Sequence, residues 1–380
     1  VVDSTYSSLR SALLSELTTQ SAEDLRWIAY KSTIQAFPLA MASESDRWNE
    51  QLALLCARSL LMAGLAQENA STDFVDLCEK IATSITRSLN QVISKAYGAY
   101  SEILPDHGFA YACDAAAGAV AIVHKADANI ALCCAEATSA AFASTAHSGS
   151  GDSISDRSIH YPGSLDYLHS LLSLSSFPFA QFQGEADRHL SGSRLCDPDS
   201  PWTFWERYYR SVVLGEPLPK EIRTAVALIP DDIWEAGPEA VSEEIARIEA
   251  RFAVLSKIEE IEDGSGANLD TRFGICGNCP PEPTGLNSDA VQQVTAIWNA
   301  IRTLHNQASS SEPNAESIEE AIEALNAGYM LLQTRDYSPA EVVGLAIFAN
   351  AAFGLSVWLL NPANIRVLTS LAQDWLKLLT

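Results

Sequence analysis

The chain has 380 residues, 47% of them hydrophobic and 19% charged, with 48 acidic against 24 basic side chains and a formal net charge of −24. That length and composition suit a globular protein with room for two or three cores, and exclude a disordered chain. So acidic a surface is repelled by phosphate backbones and anionic lipid headgroups, and no cluster of Lys or Arg offsets it, which argues against nucleic-acid binding.

Helical periodicity begins at once. Leu9, Leu13, Leu14 and Leu17 recur at helical spacing, and 22–37 continues with Leu25, Ile28 and Ile34 before Pro38, where a break or kink is expected. Ser45-Asp46 makes a plausible cap for a helix carrying Trp48, Leu52, Leu55 and Met62, with Ser59 interrupting its apolar stripe. A further helix is expected from Phe74 towards Leu104. After it comes an Ala-rich stretch, 109–146, whose small side chains favour close helix approach in a bundle or in stacked hairpins. The Ser/Gly/Asp-rich stretch 147–156 reads as a loop, and Leu165, Leu168, Leu171 and Leu172 as a short helix.

The most distinctive block is 202–252. Trp202, Trp205, Tyr209 and Val212 share one helical face, which reads as core packing; Gly215 and Pro217 end that helix. A second helix covers 222–229, Pro230-Asp231-Asp232 starts a turn, and Val241, Ile245, Ile248, Phe252 and Leu255 mark a long amphipathic helix to about Ile261. The stretch 263–286 is dense in Gly and Pro and reads as a linker. Beyond it helices are expected at 289–305, 317–335, 339–360 and 365–379. With no alternating strand pattern, the fold class is all-α. The expected divisions are an N-terminal helical region (1–146), a Trp/Tyr-rich helical region (157–262), the linker (263–286) and a C-terminal helical module (287–380).

Motifs that would carry chemistry are sparse. No phosphate-binding glycine loop, nucleotide fingerprint, HExxH or GxSxG occurs, and no cofactor is implied. Cys276 and Cys279 form a CxxC, but Pro280-Pro281 follows directly and no second pair supplies further ligands, so the reading is a loop rather than a redox or zinc site. His160, His169, His189 and Cys196 fall in one polar region with Asp166 and Asp187, where an enzyme or metal site is conceivable, although a hydrogen-bonded surface pair is the plainer reading of Asp166 and His169. The Arg-to-His spacing of all-helical ribonucleases of the HEPN type is not met by Arg157/His160 or Arg302/His305. The segment 342–360 runs nineteen residues without a charge. A buried core helix and a membrane-inserting helix both fit it, although Asn350 and the weakly basic flanks favour the core. The eight cysteines do not make a secreted disulfide framework and no secretory signal is visible at the start, so a cytoplasmic location is expected.

The block Trp202–Arg251 resembles a family of uncharacterised bacterial proteins, common in alphaproteobacteria, with the pattern WxFWxxxYxxxLxGxPL…ALIPDxxWxxGPxxVxxxIxxIExR. Pro217, Leu218, 227–231, Trp234, Gly237-Pro238 and Val241 carry the match. The loop 273–282 is similar to an FGIGHNNPPE-type element, with Cys276, Gly277 and Cys279 departing from Gly, His and Asn. The resemblance implies a helical architecture and brings no functional residue. From the residues, the expected function is a non-enzymatic protein-interaction module: an adaptor, sensor or immunity-type protein of a bacterial conflict system. Its partner would be another protein, read through the extended loop by Phe273, Ile275, Cys276, Asn278, Cys279, Pro280, Pro281 and Glu282. The alternatives are a conditional membrane effector using 342–360, and a helical enzyme or metal site near His160, His169, His189 and Cys196.

Overall fold

The computed structural model describes residues 13–15, 17–41, 47–68, 83, 87, 115, 116, 119, 200–265, 288–334 and 362–380. Among these residues every regular element is an α-helix, so the fold class is all-α. The chain forms two compact units, Val1–Ser242 and Glu243–Thr380. The units part inside one long helix, about twenty residues before the Gly/Pro-rich stretch, because the apolar stripe of that helix enters the second core.

In the first unit, α1 (Ala22–Met41) and α2 (Arg47–Glu68) pack together. Ser21 caps α1: its Oγ accepts the Asp24 N–H at 3.1 Å and donates to Asp24 Oδ2 at 2.6 Å. The helix runs on past Pro38 to Met41, so of the break or kink that the sequence suggested, the break does not occur. One missing N–H near the end of a helix removes a single intrahelical bond, and the packing partner can offset that. α2 is buried along 53–65 on every side, not along one stripe. Ser59 fits that interior because its Oγ donates back to the Leu55 carbonyl at 2.8 Å. Thr33 does the same to Ala29 and reaches the carbonyl of Ala115 at 3.0 Å; Ala115, Ala116 and Ala119 are themselves buried.

Three short helices follow: α3 (Thr203–Leu214), α4 (Lys220–Ala227) and α5 (Asp231–Ala236). α3 closes at Gly215 in the left-handed region (φ 74°), with the Glu216 N–H returning to the Ser211 carbonyl at 2.8 Å. Pro230-Asp231-Asp232 opens a helix rather than a simple turn. Pro230 supplies no N–H at a position that needs none, and two carboxylates sit in the first turn of α5. Gly237, at φ 114° and ψ −178°, makes the corner into α6 (Pro238–Ser265), a backbone region open essentially to glycine alone.

The second unit packs α7 (Ser288–Ser309) against α8 (Ala315–Thr334), and α8 against α9 (Pro362–Leu379). Val254 and Ile258 of α6 share its core with Ile297, Leu304, Leu325 and Leu368. Asn314 caps α8 by accepting the Ser317 N–H at 2.8 Å, while its own N–H is held by Gln307 Oε1 at 2.7 Å. At Gly328 the helices α7 and α8 come so close that a Cβ would lie 2.4 Å from Ile297 Cγ1.

Candidate functional site

The richest polar constellation among the described residues lies in the first unit, where the block 202–236 closes on α1 and α2. The aromatic stripe is core, as its spacing implies: Trp202, Trp205 and Tyr209 are all at most 4% exposed, and Val212 is also buried. Trp205 meets Trp234 with ring centroids 6.0 Å apart, and Phe37 of α1 stacks on Tyr209 at 5.7 Å.

Two guanidinium groups reach into this seam. Arg58, in the middle of α2, is buried; its Nη1 donates to Asp231 Oδ1 at 2.6 Å, and its carbon lies 4.6 Å from the centroid of the Trp234 ring. Trp234 is fixed in turn, donating Nε1–H to the Ile229 carbonyl at 3.0 Å and accepting at its own carbonyl from Gln51 Nε2 at 3.1 Å. Ten residues along α2, about 15 Å by helical rise, Glu68 takes a bidentate grip on Arg223: Nη1 to Oε1 at 2.7 Å and Nη2 to Oε2 at 2.8 Å. Arg223 also donates Nε–H to the Leu218 carbonyl at 2.7 Å. This fork-to-fork geometry is the strong form of an ion pair.

Electrostatics separates the two arginines. Burial pulls Arg58 below its ordinary value, and the hydrogen bond and charge of Asp231 offset part of that. Burial also acts against charged Arg223, but the hydrogen bond and charge of Glu68 bring it above the ordinary value. Two phenols lie close by, Tyr30 of α1 and Tyr208 of α3. Their hydroxyls lie 3.4 Å apart, and Tyr208 donates to the Leu60 carbonyl at 3.5 Å. Burial pushes Tyr30 up to about 12 and raises Tyr208 as well. Gly64 makes room for the pair: a Cβ there would lie 2.8 Å from each hydroxyl oxygen.

No family model, curated protein or solved structure matches this chain. The reading of the seam therefore rests on its geometry. A general acid or base must reach the proton it moves. Tyr208 has no exposed surface and Tyr30 only 6%, so both stay protonated and serve as internal hydrogen-bonding groups. The seam is a clasp that joins α3–α5 to α1–α2. Within the 202–252 block, Asp231 and Trp234 hold Arg58, and the Leu218 carbonyl accepts from Arg223.

The residues singled out from sequence fall elsewhere. Phe273, Ile275, Cys276, Asn278, Cys279, Pro280, Pro281 and Glu282 lie outside the described residues, as do His160, His169, His189, Cys196 and the segment 342–360. Arg302 and His305 lie near the end of α7, Arg302 exposed and His305 half-buried. Among the described residues no three His, Cys, Asp or Glu side chains converge to hold a metal ion, and no helix is long and apolar enough to cross a membrane. Sequence reading missed Arg58, Glu68, Arg223, Tyr30 and Tyr208. One signal was available. Arg58 is the only charge in the run 51–67 (QLALLCARSLLMAGLAQ), and a buried charge in a helix apolar on all sides needs an opposite charge within reach.

Proposed function

We propose that this chain is a non-enzymatic helical protein-interaction module, an adaptor, sensor or immunity-type protein of the bacterial family its 202–251 block resembles. The observation that carries this reading is the use made of the buried polar groups in the described helices. Arg58 and Arg223 are each matched by a carboxylate, and the Tyr30 and Tyr208 phenols are held inside the seam. That chemistry serves to join helices, and the outer faces remain for recognition. Contact with the partner is assigned to the stretch 273–282, which reads from its sequence as an extended loop and in which Pro280 and Pro281 would lower the ordering cost of binding.

The test uses the full chain, because Val254 and Ile258 pack with α7–α9 and a truncation at 286 would uncover them. Tagged protein is purified from cells and the stoichiometric partner identified and reconstituted from pure components. The purification is then repeated with 276–282 replaced by alanine. Loss of the partner with an unchanged thermal melt is the expected result. A partner retained by the alanine loop overturns the loop assignment. If no stoichiometric protein is recovered and the chain causes liposome leakage, the interaction reading falls and a membrane effector acting through 342–360 replaces it.

A further inference from the structure

We draw no further inference here: the strongest candidate, the outward face of α8 where the exposed Glu316, Glu319, Glu320 and Glu323 lead to the exposed Met330, is an acidic row beside a small apolar patch, and nothing in the structure points to a ligand for it or shows what covers it.

Discussion

The two units solve the same packing problem with different materials. The first threads ion pairs and phenols through an aromatic core built around Trp205, Trp234 and Tyr208. The second closes a largely aliphatic core from Val254, Ile297, Leu304, Leu325 and Leu368, with Trp298 and Trp375 as its large rings. Aliphatic packing is tolerant in direction and sensitive to volume. A buried guanidinium is demanding in direction, because its partner must be in place or its desolvation goes uncompensated. The first unit should therefore be sensitive to lost partners as well as to lost volume, and the second to volume alone.

Truncating Trp205 to Ala should have the largest effect. It removes a fully buried ring that touches Trp234, and about 3–5 kcal/mol of stability should go with it, read by chemical denaturation of the purified chain. If Trp205→Ala melts like the parent, the aromatic core is not what holds the first unit.

Next comes Glu68→Ala, which strands Arg223. Glu68 is itself part-exposed, 37% by side chain, so water reaches the vacancy and the loss should be about 2–3 kcal/mol, below the 3–5 seen for fully buried pairs. Arg223→Met in the same background should recover part of it, because an apolar side chain needs no carboxylate. Failure of that rescue would show that shape, not charge, decides this position.

Gly328→Ala is the matching test of the second unit. The new methyl meets Ile297 Cγ1 and Cδ1, and overpacking of this kind costs about 1–3 kcal/mol. Combined with Ile297→Ala, the double variant should be less destabilised than the sum of the singles. Strict additivity would mean that α7 and α8 shift apart without strain.

The phenols sharpen the comparison by pH. Tyr30 has a folded value of about 12 against an ordinary 10, so the folded state disfavours its ionised form. Its contribution to stability is whole below pH 10 and is lost as pH rises from 10 through 12. Tyrosinate absorbance should show these two phenols ionising only above pH 10, together with unfolding of the first unit. A smooth titration near pH 10 with helicity intact would place them in contact with water.

The smallest effect is expected at Lys377–Asp374. This pair, at 2.8 Å, has side chains 74% and 60% exposed, and replacing Lys377 by Ala should change stability by less than about 0.5 kcal/mol. A larger loss would mean that the end of α9 is held by more than its apolar face.

Much of the architecture was legible in local pattern. Leu25, Ile28 and Ile34 mark α1, and Val241, Ile245, Ile248 and Leu255 mark α6, because helical periodicity and burial share one geometric cause. Gly215 stops α3 for an equally local reason. Pro38 does not end α1, since the cost of one missing hydrogen bond is weighed against contacts that no local window contains. The 230–232 turn became a helix start for the opposite reason: Pro before acidic residues is itself a helix N-terminal signal.

By itself, then, the sequence determined the all-α class, the apolar faces and the stop at Gly215, all properties of residues within a few turns of one another. Only the tertiary structure decided that Arg58 belongs to Asp231, Glu68 to Arg223 and Tyr30 to Tyr208. These partners are 173, 155 and 178 residues apart. Nothing local specifies such pairs; they follow from the depth at which helices bury a charge or a phenol, and from which neighbour can then satisfy it.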